Sequence, residues 1–350
     1  MQLILANALL ALTWIAVSAY VLLAGADFGG GVWDLIAGPG QRGKQQRSLI
    51  EHSLGPVWEA NHVWLIFVIV LAWTVFPPAF AAIASTLYIP LSLAAIGIII
   101  RGSAFAFRKS VTEFWQQRLF GAAFAVSSVL TPFFLGTIAG AILSGRIPAG
   151  IAAGNVITSW LNPTGVSIGL LAVAVCAYLA ATYLTADARR QGSPELADTF
   201  RRRALGAGLA AALFAAVSLI VVAIDAPDVA RRIFTTALPL TGLSILAGVL
   251  SLVFMYRRAF TLVRLTAGTT VAAVLWAWAA TQYPVLLPGL TVVDAAAPLA
   301  TLQAVTISTA IGMLLLAPSL IWLFVLFQRD QRRSRAAASP DSQTDLDRSR

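Results

Sequence analysis

Apolar runs of about twenty residues, separated by short polar gaps, follow one another along almost the whole chain. A membrane-spanning helix needs roughly 17–25 predominantly apolar residues. Nine stretches reach that length: approximately residues 3–25, 58–81, 83–101, 120–143, 164–186, 204–224, 238–256, 262–282 and 299–327. The pattern predicts an all-α, polytopic membrane protein with about nine transmembrane helices. Between the second and third runs stands Phe76-Pro77-Pro78, and a proline pair there should end or kink the second helix. The ninth run is long enough to tilt or to extend past the bilayer. The first has no Lys or Arg before it and exceeds the ~7–15 residue core of a secretory signal, so it is expected to stay as the first helix. Residues 1–328 are therefore expected to form a single transmembrane helical domain. Residues 329–350, rich in Ser, Arg and Asp, are expected to form a disordered polar tail, or else a basic patch on the anionic leaflet.

Composition sharpens this picture. Of 350 residues, 59% are hydrophobic, against ~45–50% in soluble domains, and the mean hydropathy is +0.82. No soluble domain of any size is expected. The net charge of +9 would suggest nucleic acid as a partner in a soluble protein; here it reflects basic loops on one membrane face. With nine spans, one set of alternate gaps collects 21 of the 24 Lys and Arg residues and the other set only Arg146, Arg231 and Arg232. Eight or ten spans would break that alternation. The positive-inside rule then puts the N-terminus outside and the C-terminus in the cytoplasm. Cys176 is the sole cysteine and sits in an apolar run, so no internal disulfide forms and a packed thiol is expected.

Only 11% of the chain is charged, which makes each ionisable group near a span a functional candidate. Asp27 is expected to close the first helix, Glu59 to open the second and Arg101 to close the third, all at the cytoplasmic face. If those helices are neighbours, the three could meet as a proton-entry site, carboxylates trading protons beside a fixed cation. The alternative is interfacial snorkelling or a structural ion pair. The stretch GADFGGGVWDL, residues 25–35, reads as a loop: a tight re-entry or helix-packing turn, or a surface against which a partner helix or cofactor sits. Asp34 within it reads as a solvated or capping charge.

Both histidines, His52 and His62, fall in EHSLGPVWEANHVWL, residues 51–65. Glu59 and His62 share a helix face. A di-iron site, however, needs a second Glu-x-x-His motif and two further Glu, and no second motif exists. A hydrogen-bonding interfacial His62 is the expectation, and no metal site is predicted. Trp58, Trp64 and Trp73 cluster on this second helix, and Trp58 with Glu59 and Asn61 forms an aromatic face beside a carboxylate and an amide, suited to a quinone ring or a partner's cofactor pocket.

Three segments together carry a resemblance: Gly25-Ala26-Asp27-Phe28-Gly29, then Gly55-Pro56-Val57-Trp58-Glu59-Ala60-Asn61-His62-Val63-Trp64-Leu65, then RGSAFAFR from Arg101 to Arg108. They resemble subunit II of cytochrome bd ubiquinol oxidase over roughly residues 20–110, with Asn162-Pro163 a weaker echo. The family's first motif carries two aspartates where this chain keeps one, as in a divergent branch. The resemblance implies a nine-helix subunit of a bacterial inner-membrane complex, paired with subunit I, which holds haems b and d and the quinol site. The pair would oxidise quinol and reduce oxygen to water with cytoplasmic protons; this chain would not be catalytic alone. It implies that Asp27 and Glu59 belong to a proton route. Trp58, Asn61, Trp64 and Arg101 would stand in the environment of a quinone, which some members hold in this subunit, or of the partner's haem. Quinol and membrane lipid are the other expected partners, and nucleic acid is not one. A secondary transporter is the alternative function, favoured by many helices with few intramembrane charges; paired broken helices in two repeat halves would support it. A purely structural scaffold is a third reading.

Overall fold

The computed structural model describes the backbone of residues 1–108 and 113–337; side chains at 54–60, 108, 114, 316–317, 320–321 and 323–337 lie outside the described residues, Trp58 and Glu59 among them. Twelve helices follow in order: α1 (Gln2–Leu35), α2 (Gly40–Val75), α3 (Pro77–Thr86), α4 (Tyr88–Arg108), α5 (Phe114–Leu143), α6 (Pro163–Arg190), α7 (Pro194–Asp225), α8 (Pro227–Ile233), α9 (Leu238–Tyr256), α10 (Phe260–Gln282), α11 (Val292–Ala295) and α12 (Leu299–Ala337). Between α10 and α11 a small antiparallel ribbon pairs β1 (Val285–Leu287) with β2 (Leu290–Thr291). Residues 2–297 form one compact unit; residues 298–337, with α12, belong to a second.

The protein is all-α and polytopic, as the apolar runs predict. Among the described residues seven helices are individually long and apolar enough to cross a bilayer, and the bent pair α2–α3 makes eight; Leu299–Leu315 of α12 is a shorter apolar helix. The proline pair acts as expected. Helix α2 stops at Val75, Phe76 leaves helical geometry with φ −128° and ψ 59°, and α3 restarts at Pro77, bent by 117°. A carbonyl freed by such a break needs a partner in an apolar medium. The Val75 carbonyl finds one in the backbone N–H of Ala297, at 2.9 Å.

The stretch from Gly25 to Leu35 is not a loop. It continues α1 without interruption, and none of Gly29, Gly30 and Gly31 has a positive φ. The chain turns later, at Gly38 and Gly40, whose φ values of 74° and 84° only glycine adopts freely. The reason is tertiary. A glycine costs a helix interior about 1 kcal/mol relative to alanine, but here its bare face lets another helix approach. A Cβ at Gly25 would come within 2.9 Å of Leu179 Cδ1, and one at Gly29 would overlap the Cys176 carbonyl of α6. Trp33 then donates its indole N–H to the Ala177 carbonyl at 2.8 Å, fixing the same contact one turn on. Helix α1 is thus 34 residues long, about 50 Å by helical rise.

Asp27 therefore lies about 12 Å inside the end of α1 rather than closing it. By the same measure Glu59 stands deep within α2 rather than opening it, and Arg101 lies about 10 Å short of the end of α4. Asp34 is buried, 5% exposed, and pairs with Arg47 of α2 at 3.3 Å, so it is neither solvated nor a cap.

Helix α6 is the most enclosed span. On one side it packs against α5 through two glycine pairs four residues apart: a Cβ at Gly136 would lie 2.7 Å from the Gly169 Cα, and one at Gly140 would lie 2.7 Å from the Gly165 Cα. Small residues at this spacing let backbones touch where no hydrophobic force drives helices together. Asn162 caps α6, accepting from the Gly165 N–H at 2.8 Å while its amide donates to Ser159 and Thr158. On its other faces α6 buries Leu179, Leu184 and Ala188 against α1, α7 and α10. Near the start of α6, Arg146 pairs with Asp225 at the end of α7, and Thr164 donates to the same carboxylate at 2.7 Å. Helices α1, α2, α4 and α5 supply the residues of the site described next.

Candidate functional site: a buried arginine–aspartate pair

Arg101 and Asp27 meet between α1 and α4. Arg101 Nη1 donates to Asp27 Oδ2 at 2.5 Å and Nη2 donates to Oδ1 at 2.7 Å, a two-pronged pairing of guanidinium and carboxylate. Nη2 also donates to the Asp27 backbone carbonyl at 2.8 Å. Its Nε donates to Ser128 Oγ of α5 at 2.9 Å, and Ser128 in turn donates to the Phe124 carbonyl at 2.6 Å. The rings of Phe28 and Phe124 flank the guanidinium, with centroids 5.1 and 4.7 Å from Cζ. Both charged residues are 3% exposed. A charge this deep in an apolar bundle persists only with its opposite beside it and its donors occupied, and this arrangement supplies both.

Asn61 completes the pair from α2, its Nδ2 donating to Asp27 Oδ2 at 3.3 Å. Its Oδ1 is buried and has no hydrogen-bond partner among the described residues. Beside it lies a cavity of about 20 Å³, lined by Tyr20, Asp27, Asn61, His62 and Arg101 with apolar neighbours that include Ile98. That is room for one water molecule and not for a haem or quinone ring. His62 is half-buried on the cavity wall, whereas His52 is exposed.

The sequence-predicted residues thus divide. Asp27, Asn61 and Arg101 converge. Trp64 is absent from the cavity wall and meets Phe67 edge-on at 6.4 Å. Trp58 and Glu59 lie on α2 within one turn of Asn61, and their side chains lie outside the described residues. Ser128, Phe28, Phe124 and Tyr20 escaped sequence reasoning. The Ser127-Ser128 pair inside an apolar run was the one visible signal, and it names no partner. Gly31 explains how Ser128 fits, since a Cβ there would strike the Ser128 side chain. Replacing Ser128 with alanine leaves the Arg101 Nε–H buried and unpaired. It should lower the stability of the isolated protein by about 1–3 kcal/mol, read as an earlier unfolding midpoint, while the pairing with Asp27 persists.

Comparison with known proteins decides what kind of membrane protein this is. The sequence pattern of the family described as cytochrome bd terminal oxidase subunit II matches residues 5–327. The chain belongs to that family. It is 26% identical over 158 residues to cytochrome bd ubiquinol oxidase subunit 2 of Bacillus subtilis, covering 45% of this chain and 46% of that one. It is also 26% identical over 172 residues to cytochrome bd-I ubiquinol oxidase subunit 2 of Escherichia coli, covering 47% and 44%. These alignments span a little under half the length of the curated relatives. The fold similarity is wider. A chain of the bd oxidase from Geobacillus thermodenitrificans superposes with a TM-score of 0.74 at 25% identity, over 92% of this chain and 98% of that one. Family and apolar helices together place the protein as a multi-pass integral protein of the cytoplasmic membrane.

Proposed function

We propose that this chain is the second subunit of a bd-type oxidase, acting with a haem-bearing first subunit to oxidise quinol and reduce oxygen to water, and not catalytic by itself. The N-terminus would face outward and the C-terminus the cytoplasm. The haems, b and d, would belong to the partner, where they would supply the oxygen chemistry; any quinone held by this chain would sit away from the cavity beside Asn61.

The observation that carries this reading is the buried Asp27–Arg101 pair opening onto a water-sized cavity. Oxygen reduction consumes as many protons as electrons, so the complex needs a protonatable path through apolar protein. Arg101 keeps the resting pair electrically neutral, which makes a carboxylate tolerable at this depth. A proton reaching Asp27 Oδ2 would leave Arg101 an uncompensated buried cation, so the carboxyl hands the proton on rather than storing it. Asn61 orients Oδ2 toward the cavity, and Glu59, two residues before Asn61 on α2, is the next group on the proposed route.

The test uses the assembled complex. Glu59→Gln and Asp27→Asn should each reduce quinol-driven oxygen consumption by about two orders of magnitude, the scale of a lost acid–base group. In Glu59→Gln the reduced-minus-oxidised haem spectrum should be unchanged. Assembled complexes of both variants turning over at the wild-type rate would remove the proton route from this chain. A purified wild-type preparation without haem bands or a second polytopic chain would count against the oxidase assignment itself.

A further inference from the structure

Arginines crowd the end of the bundle where α6 and α9 close and α7 and α10 begin. Three of them meet an acid. Arg190 pairs with Asp187 at 2.5 Å, and Arg201 and Arg258 approach Asp198 at 3.6 and 3.2 Å. Arg189 and Arg264 do not: among the described residues neither guanidinium has a carboxylate or a hydrogen-bond partner. Each lies instead over an aromatic ring of the other's helix. Arg189 of α6 sits over Phe260 of α10, 5.1 Å from the centroid, and Arg264 of α10 sits over Tyr183 of α6 at 4.7 Å. Stacking fixes the plane of a guanidinium without using any of its N–H donors. The α6–α10 seam therefore presents two positioned cations with their donors uncommitted.

The surroundings identify the ligand. Both cations stand in terminal turns of membrane-spanning helices, the depth at which headgroups meet acyl chains. On α10, Leu265 follows Arg264 and is 69% exposed, an apolar surface beside the charge. The nearest acid on α6, Asp187, is already paired with Arg190. A ligand for this seam needs a phosphate for the guanidinium forks and hydrocarbon for the leucine. We propose that Arg189 and Arg264 form a binding site for the phosphate of an anionic phospholipid, its acyl chains lying along Leu265. The inference rests on the helices crossing a membrane and not on the oxidase reading.

The experiment takes the intact detergent-purified complex, delipidates it, and adds back phosphatidylglycerol, phosphatidylcholine or inorganic phosphate. The readouts are lipid retained in native mass spectrometry and the unfolding temperature. Wild type should retain phosphatidylglycerol and unfold later with it, and should gain nothing from the other two. The double variant Arg189→Gln/Arg264→Gln should bind phosphatidylglycerol about thirtyfold more weakly, as loss of two interfacial basic residues implies, with oxygen consumption and haem spectrum unchanged. Arg189→Lys/Arg264→Lys keeps the charge without the fork and should fall between. Equal retention of phosphatidylglycerol by wild type and the glutamine variant would overturn the site. Equal protection by inorganic phosphate would overturn the lipid assignment. Loss of turnover in every preparation, with the lipid dependence intact, would strike the oxidase reading alone.

Discussion

Replacing Arg101 with alanine should leave the proposed complex largely unassembled. The guanidinium makes four hydrogen bonds, two to the Asp27 carboxylate, one to the Asp27 carbonyl and one to Ser128. Its loss strands a carboxylate that is 3% exposed, with only the long Asn61 contact left. Breaking a buried pair by removing one partner costs about 3–5 kcal/mol, a large share of the ~5–15 kcal/mol that holds a typical domain folded. The measurement is haem absorbance and subunit yield per milligram of membrane, against wild type. A second variant separates charge from shape. Asp27→Asn/Arg101→Gln removes both charges and keeps hydrogen-bonding groups of similar size, so it should recover much of the assembly lost in Arg101→Ala. On the proposed proton route it should still turn over slowly. A fully assembled Arg101→Ala complex with a normal spectrum would show that the pair does not hold the bundle together.

How much of this could be read from the chain depends on where each property is encoded. Helical spans are local: twenty apolar residues in a row state their own environment, and the proline pair at Pro77 states its own break. That Asp27 and Arg101 need a partner was legible for a similar reason, because a charge in an apolar run is costly whatever surrounds it. Their contact was not, since it spans 74 positions and depends on Ser128 and Phe124 of α5 closing around the arginine. The glycine stretch misled because propensity is local and packing is not. Gly29 and Gly31 disfavour helix in isolation, yet they are positions at which α6 and α5 come too close to α1 to admit a Cβ. Reading a loop there also displaced Asp27 and Asp34 toward the surface. Both are buried, and the acid partner of Arg47 is Asp34, on the previous helix.

The same packing makes Gly29→Ala the second severe substitution expected. One methyl group is added, but the atoms it would meet are the Cys176 carbonyl, part of the backbone of α6, and the Ala180 Cβ at 2.7 Å. A flexible side chain could swing away; a helix backbone cannot, so α1 and α6 must separate at this level. That separation pulls on the Trp33 bond to the Ala177 carbonyl and on Asp27, half a turn earlier on α1. Overpacking commonly costs about 1–3 kcal/mol and more where backbone is displaced, so the complex should be recovered at a small fraction of wild-type yield. Gly206 is the control. It lies in α7, a Cβ there would meet nothing within 4 Å, and Gly206→Ala should be neutral or stabilise by up to about 1 kcal/mol. Adding Ala180→Gly to Gly29→Ala removes the side-chain half of the collision and leaves the carbonyl half, so rescue should be slight. A strong rescue would mean that α6 shifts along its axis to admit the methyl, and the close approach of α1 would then owe more to Ala180 than to the bare face of Gly29.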